Sequence, residues 1–288
     1  MFIVMGANGK TGGAVARALL AAAHPVRVVL RSIHNADRWR AAGVEVAVAD
    51  IHDAESLIAA FRGAQAAYVL NPLDYHVDDL FEQGRLVADA YRMALSSTGV
   101  RAVALSSIGA QHAEGTGNIL TTNLLESALA PLGASFVRAG NFMTNWLSNL
   151  PAIRSGLLPS FFCPLDRAVP NVAVQDIAAV VVRELLGAGS RTVELAGPVD
   201  YTPNQVAEAF ATALGHPVRA EVIAREQWSE VLTGNVGLPG AAVGSWMEMW
   251  QAFNSGHVCF EGTPERGSVT FEEFAATAVT ETTQEVQA

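Results

Sequence analysis

The sequence predicts an α/β fold, a doubly wound parallel sheet with a small C-terminal lobe. Three observations predict it. Apolar, β-branched runs alternate with helical apolar patterns through the first half, a glycine-rich turn joins the first run to the first helical pattern, and Pro, Gly and aromatic residues dominate after about residue 140.

The strand-like runs are Phe2-Met5, Val26-Leu30, Val44-Ala49, Ala66-Leu70 and Arg101-Leu105, with Ser135-Arg138 closing this half. Between them, Thr11-Ala22, Ala54-Phe61, Val77-Leu95 and Ile119-Leu129 carry apolar residues at helical spacing. Repeated β-α-β order calls for parallel strands joined by right-handed crossovers. Downstream, short elements are expected around Phe142-Leu150 and Leu157-Cys163, a helix over Val174-Leu186 and a strand over Thr192-Leu195 that returns to the sheet. Thr202-Pro203 caps a helix running to Leu214, and Val218-Ala224, Arg225-Thr233 and Gly244-Phe253 supply the rest of the lobe. This divides the chain into a nucleotide-binding region over 1–150, a lobe over 151–280 interleaved with late sheet elements, and an aperiodic tail over 281–288.

Composition excludes several classes. Half of the 288 residues are hydrophobic and only 16% are charged, which suits a buried parallel sheet and not a disordered chain. A formal charge of -10 with no basic patch disfavours nucleic acid and anionic lipid as partners. Two cysteines, Cys163 and Cys259, are too few for a disulfide scaffold, and the seven histidines form no H-x-x-x-H or H-E-x-x-H pattern, so no metal is expected. The first strand starts at residue 2 with no basic segment before it, and charged residues interrupt every long apolar window. No signal peptide and no membrane span are expected, and the setting is read as cytoplasmic.

The turn Gly6-Ala7-Asn8-Gly9-Lys10-Thr11-Gly12 has G-x-x-G-x-x-G spacing between a strand and a helix. Glycines there let the backbone approach a pyrophosphate, whose charge the helix N-terminus favours. The choice of nucleotide is read about 20 residues on, where a carboxylate would take the ribose 2′-hydroxyl and a cation would take a 2′-phosphate. The second strand ends in Leu30-Arg31-Ser32, with no carboxylate. Arg31, with Lys10 in support, therefore favours NADPH over NADH, unless Arg31 is only a solvated strand-end cation. Asp50-Ile51, after the third strand, fits an adenine-reading carboxylate, with helix capping by Asp50 or Asp53 as the other reading.

These segments, together with Asn71-Pro72, Ser106-Ser107-Ile108-Gly109-Ala110, Arg138-Ala139-Gly140-Asn141-Phe142-Met143, Val172-Ala173-Val174-Gln175-Asp176-Ile177-Ala178 and Val193-Glu194-Leu195-Ala196-Gly197-Pro198, resemble the NmrA-like family of atypical short-chain dehydrogenases over about residues 1 to 275. The resemblance implies a Rossmann domain with a small substrate-facing lobe. It places Gly6, Asn8, Gly9, Lys10, Thr11, Gly12, Arg31, Asp50, Ile51, Asn71 and Ser106 at the cofactor. Members of the family are either NAD(P)H-dependent reductases or nucleotide-sensing regulators.

Typical short-chain dehydrogenases use a Tyr and a Lys four residues later as their proton-handling pair. This chain departs from that pattern. Its tyrosines, Tyr68, Tyr75, Tyr91 and Tyr201, are followed at the fourth position by Pro72, Asp79, Leu95 and Gln205, and Lys10 is the only lysine. Hydride chemistry belongs to the cofactor, so orientation and proton delivery are what remain for the protein. Candidate groups on loops after the strand ends are Tyr75, His76, Ser107, His112 and Asn141, with Tyr75 and His112 foremost. Ser106-Ser107 lacks the G-x-S-x-G elbow of a serine hydrolase. The run Trp246-Met247-Glu248-Met249-Trp250 reads as a core helix, an apolar pocket wall or a homodimer contact.

Two functions fit. One is an NADPH-dependent reductase of a small hydrophobic carbonyl, quinone or conjugated substrate; the other is a non-catalytic NAD(P) sensor whose lobe meets a protein partner.

Overall fold

The computed structural model describes residues 1–234 and 236–287. β1 (Phe2–Met5) passes through the glycine turn into α1 (Lys10–Ala21), and β2 (Val26–Leu30), α2 (Asp37–Ala41) and β3 (Glu45–Val48) complete one wing of a sheet. The chain then crosses back through α3 (Ala54–Phe61) to β4 (Ala66–Val69), and continues with α4 (Leu80–Thr98), β5 (Arg101–Ser107), α5 (Leu120–Leu129) and β6 (Ser135–Ala139). Next come β7 (Asn141–Phe142), α6 (Leu150–Arg154), β8 (Leu157–Ser160), β9 (Asn171–Val172), α7 (Val174–Leu186) and β10 (Thr192–Ala196). The last elements are α8 (Pro203–Leu214), β11 (Arg219–Val222), α9 (Trp228–Gly234), α10 (Gly240–Ser255), β12 (Glu265–Arg266) and α11 (Phe271–Gln287).

Among the described residues, eight strands form one parallel sheet in the order β12-β10-β6-β5-β4-β1-β2-β3. From β1 the chain winds outward one way through β2 and β3, then restarts at β4 on the other side of β1. The carboxyl ends of β1 and β4 therefore face the crevice left where the winding reverses, which is where open α/β sheets bind ligands. Both central strands are buried along their whole length, as a sheet covered on two faces requires. Residues of α1 and α7, including Val15, Leu19, Ile177 and Val181, fill one face, and Leu57, Phe61, Val87, Tyr91 and Leu125 of α3, α4 and α5 fill the other.

Helix starts follow local chemistry. Asp79 caps α4 by accepting from the Phe81 and Glu82 amides, and Thr202 with Gln205 forms a capping box on α8. The lobe packs around Trp146, Phe162, Phe210, Trp228, Trp250 and Phe271, and is braced by the parallel pairs β8–β11 and β7–β9. The last helix was not anticipated. It takes in the segment read as a tail up to Gln287, Ala288 lying outside the described residues, although Phe271, Phe274, Ala275 and Ala278 already carry an i, i+3, i+4, i+7 apolar pattern and are all buried. Edge strand β12, two residues long, offers no period to read. No helix among the described residues is long and apolar enough to cross a membrane.

Candidate functional site

The crevice begins at the glycine turn. Gly6 has φ +63°, and the Gly9 amide closes the turn by donating to the Gly6 carbonyl at 2.8 Å. A Cβ at Gly12 would lie 2.4 Å from the Gly6 oxygen and 2.5 Å from the Met5 oxygen, so the first turn of α1 sits directly on the end of β1. Thr11 is buried, and its hydroxyl accepts from Tyr68 at 3.0 Å, which pins the helix start to β4. No side chain caps the N-terminus of α1. Its first amides and the positive end of the helix dipole thus stay available to an anion.

Asn8 and Lys10 stand at the mouth of the turn, both exposed. The Asn8 Oδ1 accepts from Arg38 Nη2 at 2.6 Å and from Trp39 Nε1 at 3.0 Å, and the Arg38 guanidinium lies over the Trp39 ring. Arg38 was not singled out by sequence. It falls in a segment without a clear period, and only the short α2 turns it back onto the glycine loop. Arg31 is exposed at the end of β2. The Asp74 carboxyl is held below its ordinary range chiefly by the His76 amide, and in smaller part by the positive charge of Arg31.

At the end of β3, Asp50 and Asp53 divide the local work. Asp53 is the N-cap of α3, accepting from the Glu55 amide, while Asp50 accepts from the His52 amide and stays exposed. Ile51 is half-buried against the core beneath α3.

Beyond β4 lies Asn71, whose side-chain oxygen and nitrogen are both buried without a hydrogen-bond partner. α4 and α5 close over it: a Cβ at Gly84 would lie 3.1 Å from Asn71 Nδ2 and 3.2 Å from Thr121. Gln83 Oε1 and Thr116 Oγ1 are likewise buried and unpartnered. Each such group costs about 1 to 3 kcal/mol unless something else satisfies it. Orphaned polar atoms at the strand ends, beside an uncapped helix and a glycine turn, fit a bound dinucleotide.

Ser106 is directed elsewhere. Its hydroxyl donates to Glu126 Oε1 at 2.6 Å, and Glu126 accepts two bonds from Arg138, at 2.9 and 2.7 Å. Arg138 also pairs with Glu261, and these carboxylates with their hydrogen bonds push its pKa above the usual guanidinium range. A charged residue inside each of two apolar elements was the available signal for this network.

Tyr75 and His112 have separate partners. The Tyr75 ring meets Trp246 edge to face, 5.5 Å between centroids, and burial pushes its hydroxyl up to about 12, partly offset by the Asn118 and Trp246 side chains lying against it. His112 stacks on His257 at 4.1 Å and touches Gln111. Among the other loop candidates, exposed His76 donates its amide to Asp74. The Ser107 hydroxyl donates to the Ile108 carbonyl, and Asn141 is buried, donating to Asn171, which also accepts from Trp146. Asn141 therefore fastens the lobe to β6. A cavity of about 240 Å³ lies on the lobe side of β5, lined by Ile108, Phe162, Val169, Phe253 and Val258 with both free cysteines, and it includes none of the candidate cofactor residues. No group of three or more metal-ligating side chains is gathered among the described residues.

Comparison with known proteins agrees with this fold. The model of the NmrA-like family matches residues 1–275. An NAD(P)H azoreductase of Xenophilus azovorans is 30% identical over 258 residues, covering 87% of this chain and 86% of that protein. The NADPH complex of an Escherichia coli NADPH-dependent quinone oxidoreductase superposes with a TM-score of 0.79 at 22% identity, covering 97% of this chain and all of the other. A Citrobacter triphenylmethane reductase superposes with a TM-score of 0.77 at 20% identity, over 97% and 99% of the two chains.

Proposed function

This chain belongs to the NmrA-like family, and we propose that it is an NADPH-dependent reductase of small hydrophobic carbonyl, quinone or related conjugated acceptors. The observation that carries the reading is the buried, unpartnered Asn71 carboxamide beside the glycine turn and the uncapped α1, a set of groups that a dinucleotide would satisfy. The relatives named azoreductase and quinone oxidoreductase act on conjugated acceptors, which supports the substrate class.

In this reading the α1 amides hold the pyrophosphate, and Asn71 meets the polar groups of the cofactor at the end of β4. The bound nicotinamide supplies the hydride. The chain itself orients the acceptor, excludes water and offers hydrogen-bond donors. Tyr75 keeps its proton at neutral pH because burial raises its pKa, so it acts as a donor and not as a base. The missing Tyr-Lys pair is no obstacle for activated acceptors, whose reduction needs little acid assistance.

Preference for NADPH rests on three cations around one corner, Arg31, Arg38 and Lys10. Arg38 carries most of it, because Asn8 and Trp39 hold its guanidinium at the loop while other N–H donors remain. Arg38→Ala is expected to weaken NADPH about 10- to 100-fold, the loss of one or two charge-assisted bonds, and to leave NADH within about twofold. Fluorescence titration of both nucleotides checks this, and equal losses for the two would remove Arg38 from the 2′-phosphate site.

Burial of tyrosines also sets an alkaline limit. Tyr75 is raised from 10.0 to about 12, and buried Tyr68 and Tyr91 are raised further by desolvation. The native chain keeps these protons where the unfolded chain loses them, so their contribution is intact below pH 10 and is lost as pH rises from 10 through 12. Urea midpoints should fall over that window, and the fall should be shallower for Tyr75→Phe; a flat profile would contradict the burial argument.

A further inference from the structure

We propose that Trp246 Nε1–H and Tyr75 O–H form a two-donor site for the heteroatom of the acceptor, so that the protein selects substrates bearing a carbonyl, quinone or azo heteroatom. The inference rests on the reductase reading and gives that site its substrate-binding donors.

Indole nitrogens in this molecule show what is unusual about Trp246. Trp39 donates to Asn8 at 3.0 Å, Trp146 to Asn171 at 2.9 Å and Trp228 to the Ile223 carbonyl at 2.8 Å. Among the described residues, Trp246 and Trp250 alone keep a buried N–H without a partner. Their surroundings differ. Trp250 is enclosed by hydrocarbon, stacked on Phe161 at 5.2 Å and edge-on to Phe162 at 4.9 Å, so it reads as core. Trp246 packs beside Leu238 and Val243 but also meets Tyr75 edge to face, so the polar group nearest its N–H is the Tyr75 hydroxyl, itself a donor. The β5–α5 loop alongside adds Asn118 and the unpartnered Thr116 hydroxyl.

The donors are held by a rigid frame on one side. A Cβ at Gly117 would lie 1.9 Å from the Ser245 oxygen and 2.7 Å from the Met249 nitrogen, so the β5–α5 loop fits directly onto the turn of α10 that carries Trp246. On the other side the frame is loose. Tyr75 sits in the segment joining β4 to α4, which has no regular secondary structure and carries Asn71 four residues earlier, so the Tyr75 end of the pair belongs to the same connection as the unpartnered Asn71.

The chemistry gives the donors their purpose. The acceptor gains two electrons and one proton as hydride from the reduced nicotinamide, and negative charge collects on its heteroatom until solvent supplies the second proton. Two preorganised donors at that atom are strengthened as the charge develops, and they act most in an enclosed site. An acceptor without such an atom gains nothing from them.

Calorimetry on the full chain with NADP bound tests this, using 9-fluorenone and fluorene, a ketone and its CH₂ counterpart of nearly the same shape. Trp246→Phe keeps the aromatic packing and removes the N–H; Tyr75→Phe removes the hydroxyl. Each is expected to weaken fluorenone about 10-fold and to leave fluorene and NADPH affinity within about twofold, and each should lower kcat/KM for a 1,4-naphthoquinone about 10- to 100-fold, mostly in kcat. Equal weakening of ketone and hydrocarbon, or fluorenone affinity unchanged in both variants, overturns the proposal. If the wild type binds NADPH yet reduces no acceptor, the reductase reading fails, while the donor site still stands or falls on the fluorenone–fluorene difference.

Discussion

Gly12→Ala is expected to lose NADPH binding by 100-fold or more and to unfold at lower temperature than the wild type. The added methyl would stand 2.4 to 2.6 Å from the Gly6 oxygen, the Met5 oxygen and the Gly6 carbonyl carbon, all of them backbone atoms, so no side chain can swing away to relieve it. Either α1 lifts from the end of β1 or the glycine turn opens, and both displace the amides that would meet the pyrophosphate in the proposed site. Overpacking of this kind costs about 1 to 3 kcal/mol even where flexible groups absorb it. Gly13→Ala is the matched comparison: its methyl would meet the Ala7 oxygen at 3.0 Å and the mobile end of Arg17 at 3.3 Å, and a loss below about 10-fold is expected. Nucleotide titration with parallel melting curves measures both, and wild-type affinity in Gly12→Ala would refute the placement of the pyrophosphate.

The second large effect is on stability. Glu126 and Arg138 have side chains only 10% and 9% exposed, joined by two hydrogen bonds, with Ser106 donating to the same carboxylate. Glu126→Ala takes two buried hydrogen bonds from Arg138, leaving it the more exposed Glu261 as its partner, and leaves the Ser106 hydroxyl without its acceptor, a loss that approaches the roughly 3 to 5 kcal/mol of breaking a buried pair. Arg138→Met removes the opposite partner. The double variant Glu126→Ala with Arg138→Met should recover part of the loss, because the buried guanidinium is then gone, Glu261 is exposed enough to turn to water, and Glu194 keeps the Glu261 and Gly262 amides. Urea unfolding of the three chains decides it. Losses that simply add would mean that the two residues do not act as a pair.

The same network shows where sequence reading fell short. The family resemblance placed Ser106 at the cofactor, and what it did not show is that the Ser106 hydroxyl donates to a carboxylate twenty residues further on. No local pattern shows that Glu126 turns inward from α5, since burial of a charge depends on what the neighbouring element presents. Arg38 was overlooked for a related reason: its role depends on α2 folding back to the loop, and five residues carry too little periodicity to predict that. The last helix was missed although Phe271, Phe274, Ala275 and Ala278 spell a helical face; the polar residues after them obscured the pattern.

Other features were legible. The strands Phe2–Met5 and Val26–Leu30 and the helices Ala54–Phe61 and Val174–Leu186 stand where their periods put them. Alternating strand and helix periods leave one economical solution, the parallel doubly wound sheet, because crossover handedness and burial on both faces prune the rest. The glycine turn was equally plain, since a close approach between backbone segments demands residues without a Cβ.

The sequence by itself therefore determined the layered fold, the place of the glycine turn and the absence of a Tyr-Lys pair, all properties of local order and residue type. The tertiary structure alone decided which polar groups remain unpaired. It assigned Ser106 and Thr11 to internal partners, brought Arg38 to the glycine loop, and left Asn71 and Trp246 enclosed without partners. Hydrogen-bond satisfaction is settled between elements distant in the chain, and only their packing shows which groups are left for a ligand.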